Sequence, residues 1–221
     1  MKKKNPYQAH VINFKHIFFD FFRWSGWPFL LWYRIKKIYE TKEQPKHVKG
    51  GAIVIANHIL YSDVMVLFST FWYRRLQFLI MKEMMDTKAH QWFFEVCGGC
   101  VGVDREKPSL QTVRKIVLKL QGGNLVGMFP EGHVSFGNEN PMSGFKSGAV
   151  LMAYQAGVPI VPTYREIRKS IWHRQRIVIG APIDVKAIIG DRFDVSKIDE
   201  VAKLLFEKEQ ELKKIYHEED K

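Results

Sequence analysis

The sequence predicts an α/β protein: a single domain with a mixed, largely parallel sheet flanked by helices, preceded by an N-terminal amphipathic helical hairpin. Three observations lead there. At 221 residues, one domain with a sizeable core is the default. Hydrophobic residues at 46% and charged residues at 26% are ordinary globular composition, which excludes a disordered chain and a polytopic membrane protein. From Gly50 onward, short β-rich runs alternate with helical segments, the pattern of strands joined by helical crossovers. The change of texture divides the chain into a hairpin over residues 1–49 and a main domain over 50–221 that ends in a docked helix.

The elements follow in order. Val11, Phe14, Phe18, Phe21 and Phe22 recur at helical spacing with Lys15, His16, Asp20 and Arg23 on the other side, predicting an amphipathic helix over 8–23. Ser25-Gly26 breaks it. Pro28 suits a first helical turn, and Leu31, Ile35 and Ile38 form the stripe of a second helix. Strands are expected at Ala52–Ala56, Gln77–Met81, Cys100–Val103, Leu125–Phe129, Pro159–Thr163 and Arg176–Gly180. Helices are expected near Asp63–Trp72, Ser109–Gln121 and Gly144–Ala156. Ile198, Val201, Leu204, Leu205, Leu212 and Ile215 mark a final docked helix amid many charges. Pro159 and Pro162 make the Val158–Pro162 run read as a rigid edge strand.

The net charge of +11 points to a polyanionic partner, and its distribution narrows the choice. Residues 1–50 carry eleven Lys or Arg against three acidic residues, so a net +8 lies in under a quarter of the chain. Twelve of the thirty aromatics share that stretch. Basic residues mixed with rings suit an anionic membrane surface, with Phe18, Phe22, Trp24, Trp27 and Trp32 as the contact residues. The alternative is that both stripes pack on the main domain. Nucleic acid is not expected, because the basic residues interleave with an apolar stripe and no recognition motif occurs. The best apolar run, Trp24 to Tyr33, is half of the roughly 20 residues a spanning helix needs, so the chain is expected to lie on the membrane. Lys15, His16, Asp20 and Arg23 interrupt any signal-peptide core behind Met1-Lys2-Lys3-Lys4, which places the expected site on the cytoplasmic face, peripherally.

The chemistry centres on Asn57-His58-Ile59-Leu60-Tyr61-Ser62-Asp63, where a strand ends, turns and enters a helix. An aspartate five residues after a histidine can meet its ring across that turn. It then fixes the tautomer and leaves the other nitrogen to accept a proton, a general-base arrangement. The same spacing also suits a capping Asp with a His nearby, and Ser62 reads as a helix cap rather than a nucleophile. Cys97-Gly98-Gly99-Cys100 runs into a strand instead of opening a helix, so it reads as packing rather than a redox pair. Two thiols make half of a zinc site at most, and no metal is expected.

Further blocks follow in order: Gly102-Val103-Asp104-Arg105, then Phe129-Pro130-Glu131-Gly132, then Val158-Pro159-Ile160-Val161-Pro162. With the Asn-His block they make the chain resemble the glycerolipid acyltransferase family, of the 1-acylglycerol-3-phosphate acyltransferase type, over roughly Gly51 to Thr163. The resemblance implies acyl transfer from acyl-CoA or acyl-carrier protein as co-substrate to a lysophospholipid acceptor, with no cofactor. It implies His58 as base with Asp63 holding its ring, and direct transfer without an acyl-enzyme. It assigns Arg105 to the acceptor phosphate and Glu131 and Gly132 to acceptor binding, and it gives Pro159 and Pro162 a part in lining the acyl or acceptor site. Lys146, near a predicted helix start, suits a second phosphate contact. Many family members continue Pro-Glu-Gly with Thr-Arg-Ser, whereas this chain has His133-Val134-Ser135, so a usual cationic contact is missing. Acceptors with another headgroup, glycerol 3-phosphate, and a catalytically silent membrane-binding relative stay open.

Overall fold

Ala52–Ala56 shows how the domain is organised: all five residues are buried, and their side chains alternate between two apolar layers. Ile53 and Ile55 enter one layer, while Ala52, Val54 and Ala56 enter the other. A strand covered on both faces needs no apolar–polar alternation, which is why its sequence is continuously apolar. The structure, a computed structural model, describes residues 5, 7–9, 14–26, 34–104, 109–132, 134–135, 145–168, 170 and 172–218.

In chain order these form α1 (Phe14–Ser25), β1 (Lys36–Tyr39), β2 (Ala52–Ala56), α2 (Asp63–Thr70), β3 (Leu76–Met81), α3 (Lys88–Trp92) and β4 (Val101–Val103). There follow α4 (Leu110–Gln121), β5 (Leu125–Met128), α5 (Gly148–Ala156), β6 (Ile160–Tyr164), β7 (Arg176–Ile179), α6 (Val185–Ile189) and α7 (Val195–Glu218). The strands make one seven-stranded sheet in the order β1-β7-β6-β2-β5-β3-β4. All neighbours are parallel except β6 and β7. Ile116 and Leu120 of α4, Val150 and Ala153 of α5, Val185 of α6 and Val201 and Leu205 of α7 cover one face. Val66 and Leu67 of α2 cover the other, with Phe71 beyond that helix. The predicted α/β class and largely parallel sheet are thus what the chain forms.

Two expectations are corrected. Ile35 and Ile38 do not lie on a second helix: Lys36–Tyr39 is a strand parallel to β7, and Ile38 packs with Val178, Leu212 and Tyr216. Two apolar residues three apart fit either periodicity over so short a run, and β7 and α7 supply the partners that decide. The sheet therefore begins before residue 50, and the rest of the expected second arm, 27–33, lies outside the described residues. Nor is β6 an edge strand, since it runs between β7 and β2. Proline is tolerated inside this sheet because Pro162 turns its backbone away from β2 toward β7, where its carbonyl accepts from Gly180 N at 2.8 Å. The predicted helix near residue 144 starts at Gly148.

The first helix docks by one stripe and exposes another. Phe19 is buried, and the Asp20 carboxylate receives Arg75 Nε at 3.1 Å and Nη2 at 2.6 Å, a two-pronged pair that anchors α1 to the start of β3. Ile17, Phe21 and Trp24 fall on the exposed side. Among the described residues no helix is long and apolar enough to cross a membrane.

Close approach of two strands leaves one testable tolerance. Gly127 of β5 lies in register with Phe78 of β3, and a Cβ there would sit 2.5 Å from Phe78 Cε1 and 2.8 Å from Cδ1. The Phe78 ring is buried and cannot swing aside. Gly127→Ala is therefore expected to destabilise the fold by about 1–3 kcal/mol, measured as a lower thermal unfolding midpoint.

Candidate active site

Three neighbouring parallel strands, β5, β2 and β6, deliver their following residues to one edge of the sheet. In open α/β sheets that carboxyl edge is where functional groups collect. Asn57 and His58 follow β2, Phe129 to Gly132 follow β5, and Arg165 follows β6.

His58 and Asp63 meet as the spacing suggests. Nδ1 of His58 lies 3.0 Å from Asp63 Oδ2, with the carboxylate 1% and the imidazole 11% exposed. The same oxygen accepts from Ile59 N at 2.6 Å and Leu60 N at 2.9 Å, so the carboxylate closes the turn it is reached across. Asp63 is the first residue of α2, where the helix dipole favours negative charge. Ser62 holds the cap position but its hydroxyl makes no capping bond, so the Asp63 carboxylate ties down the N–H groups of the turn instead. With Nδ1 held by a carboxylate, proton exchange by the imidazole would run through Nε2.

The ring is held flat as well as aimed. It stacks on Phe129 at 4.0 Å between centroids and 14° between planes, and Phe129 stacks in turn on Phe78 at 5.9 Å and 12°. Ser135 ties the loop after β5 to the histidine backbone, since its N at 2.8 Å and Oγ at 3.1 Å both donate to His58 O. Glu131 is half-buried, and burial raises its carboxyl above the usual range. A hydrogen bond from the His58 backbone and the nearby imidazole pull the other way. Gly132 has φ +78°, and Lys146 Nζ lies close enough that a Cβ at Gly132 would come within 3.2 Å of it. A side chain at Gly132 would therefore be strained and crowded.

Lys146 is exposed and precedes α5 rather than opening it, its N donating to Pro130 O at 3.2 Å. The structure thus gathers His58, Asp63, Glu131, Gly132 and Lys146 at one edge. It does not bring Pro159 there. Its carbonyl accepts from Ile53 N at the start of β6, six residues or roughly 20 Å along the strand from Arg165. Pro162 lies within the sheet, opposite Ile55. Arg105 and His133 lie outside the described residues, as do Trp27, Trp32 and the side chain of Phe22. Phe18 is half-buried against Trp92 with ring centroids 5.8 Å apart, and Trp24 stays mostly exposed beside Trp72. Cys100 is buried, its thiol pushed up to about 11 by that burial, the opposite of a reactive thiol.

Sequence reasoning missed Arg165, Asn57, Phe129, Ser135 and Glu209 as parts of this site. Arg165 stands 102 residues from Asp63, and no local spacing links them. For Glu209 a signal existed, because it falls on the stripe Ile198, Val201, Leu205, Leu212, Tyr216 that α7 buries. Its carboxyl is pushed up to about 8, chiefly by burial and then by the charge of Glu131, with Lys213 opposing. Its Oε2 has no hydrogen-bond partner among the described residues.

A buried histidine–aspartate pair at the carboxyl edge of a largely parallel sheet defines an α/β protein with paired titratable groups where such sheets collect their functional side chains. The chain belongs to the acyltransferase family, whose profile, described as Acyltransferase, matches residues 36–165. That span opens with β1 and closes on Arg165. The chain is similar to a Mycoplasma pneumoniae protein named probable 1-acyl-sn-glycerol-3-phosphate acyltransferase, at 31% identity over 58% of this chain and 54% of the relative. It is also similar to the 1-acyl-sn-glycerol-3-phosphate acyltransferase of Bacillus subtilis, at 25% identity over 66% of this chain and 73% of the relative. The chain thus spans about half the length of the first and about three quarters of the second. Its fold matches the crystal structure of the 1-acyl-sn-glycerophosphate (LPA) acyltransferase PlsC from Thermotoga maritima, with a TM-score of 0.56 at 21% identity over 90% of this chain and 82% of that one.

The buried Glu209 makes stability depend on pH. A glutamate in the unfolded chain loses its proton near 4.5, and the folded one near 8, so across that window the unfolded chain holds fewer protons. Stability therefore falls as pH rises from 4.5 to 8. Glu209→Gln, which stays neutral, is expected to melt about 4 °C or more above the wild type at pH 9, with the difference shrinking toward pH 4.5 in thermal unfolding.

Proposed function

We propose that this chain moves a fatty acyl group from a thioester donor, acyl-CoA or acyl-carrier protein, to the free hydroxyl of 1-acylglycerol 3-phosphate, giving phosphatidic acid. The observation that carries the reading is the pairing of His58 Nδ1 with the buried Asp63 carboxylate, at the edge where the Asn-His and Phe-Pro-Glu-Gly blocks meet. An acceptor hydroxyl is too weak an acid to attack a thioester unaided. His58 takes its proton as the new C–O bond forms, the C–S bond breaks, and the proton passes to the departing thiolate. Asp63 stabilises the imidazolium, and no acyl-enzyme forms. Both relatives carry names that state this acceptor, which favours it for this chain.

Glu131 and Gly132 meet the acceptor, and Lys146 beside Gly132, with Arg105, supplies cations for its phosphate. The exposed Ile17, Phe21 and Trp24 of α1, with Trp72 close by, serve as an interfacial contact with an anionic membrane, reached peripherally from the cytoplasmic face. His133-Val134 in place of Thr-Arg leaves one cation fewer near the headgroup, which favours a second reading in which the acceptor is another lysophospholipid or glycerol 3-phosphate.

His58→Ala is expected to lower acyl transfer about 100- to 10,000-fold in protein that remains folded. Transfer at close to the wild-type rate would remove the base from His58. A panel of acceptors offered with one labelled acyl thioester is expected to favour 1-acylglycerol 3-phosphate, and preference for a non-phosphate acceptor would reject it. Phe21→Asp with Trp24→Asp is expected to release the protein from anionic vesicles in a flotation assay, and unchanged flotation would take the membrane role from α1.

A further inference from the structure

Asp63 has a partner that a histidine–aspartate dyad does not require. Its Oδ2 is filled by Ile59 N, Leu60 N and His58 Nδ1, and its Oδ1 is paired with Nη2 of Arg165. Both residues are almost wholly buried, with side-chain exposures of 4% for Arg165 and 1% for Asp63. A cation is seldom buried this deeply unless it is paired, and here the pairing lies directly behind the group that orients His58.

The arginine is placed from several sides. Its Nη1 donates to Gln175 Oε1 at 3.3 Å, and Gln175 is itself fixed by donating to Glu166 O at 2.9 Å and Arg176 O at 2.8 Å. Asn57, the residue before His58, clamps the Arg165 backbone with both ends of its amide. Oδ1 accepts from Arg165 N at 3.1 Å, and Nδ2 donates to Arg165 O at 2.8 Å. The ends of β2 and β6 are thereby locked in register, and the guanidinium is fixed relative to the imidazole.

A buried carboxylate beside an imidazole favours the charged ring, which would leave the base already protonated near neutral pH. A guanidinium on the far oxygen offsets that carboxylate while keeping it ionised and aimed. We propose that Arg165 is a positioning residue that holds the Asp63 carboxylate and balances its charge, so that His58 remains unprotonated and able to act as a base near neutral pH. The proposal rests on the reading of His58 as general base. Among the described residues, Glu131 on the loop after β5 faces His58, with Glu209 on α7, flanked by Lys213, beyond it and the Lys146 ammonium beside Gly132. Burial lets both glutamates keep their protons to higher pH than an ordinary carboxyl, so they add less negative charge to the ring's surroundings.

The test is the pH profile of kcat/KM for acyl transfer from an acyl thioester to 1-acylglycerol 3-phosphate, measured for wild type, Arg165→Met and Arg165→Lys. The acid limb of Arg165→Met is expected about one pH unit higher, with the high-pH plateau within about tenfold of wild type. Arg165→Lys, which keeps the charge, is expected to restore most of the wild-type limb. A folded Arg165→Met whose limb stays in place, whatever its plateau, overturns the proposal. Where that variant does not fold, the His58 imidazole is titrated by NMR in the wild-type protein. A midpoint below about pH 7 is expected, and one above about 7.5 overturns the proposal. His58→Ala separates the two readings: transfer that survives it removes the base itself, whereas transfer lost in it beside an unmoved Arg165→Met limb removes only the role of Arg165.

Discussion

The Asp63 carboxylate is the interaction on which the rest of the site depends. It is almost wholly buried, and an ionised carboxyl is tolerated there only because both of its oxygens meet donors. Two donors come from the turn it closes, one from the imidazole it orients and one from a guanidinium delivered by a different strand. Removing any of these donors exposes the remainder of the network to an unpaired charge, so orientation of the base and stability of the sheet edge are one property.

The sheet makes this network possible by bringing three strand ends together. β2 leads to His58, β5 to the aromatic ring on which its imidazole lies and the glutamate beside it, and β6 to Arg165. Asn57 and Thr163 cross between β2 and the β6 end, the latter donating to Ile55 O at 2.8 Å. Rigid strands hold such a constellation more tightly than loops would, and tight placement is what proton transfer to and from a reacting oxygen demands. Glu209 extends the arrangement to the last helix. α7 therefore closes the apolar core on one side and brings the buried Glu209 within reach of the charge of Glu131.

α1 is pinned to the domain through Phe19 and the Asp20–Arg75 pair, which leaves its other stripe of large apolar residues facing outward. The packing expected of that helix is carried by one face, and the face proposed for membrane contact is the other. The Asp20–Arg75 pair fixes the angle at which the exposed face is presented.

Local order in the chain was enough to reveal the α/β class, the main-domain strands to within a residue or two at their ends and the meeting of His58 with Asp63. Each depends on residues close in sequence: apolar runs of strand length, helical stripes, and a five-residue turn. It was not enough for the strand at Lys36–Tyr39, whose partner β7 lies far along the chain, or for the interior place of β6, which needs both the distant β2 and the nearby β7 as neighbours. Nor did any local pattern announce that Arg165 completes the dyad or that Glu209 faces Glu131, since charges are paired across a core by geometry rather than by spacing. The sequence by itself determined that His58 would meet a carboxylate and that Asp63 would supply it. Only the tertiary structure decided what holds the carboxylate, because a buried charge must find its counter-charge wherever the sheet brings one within reach.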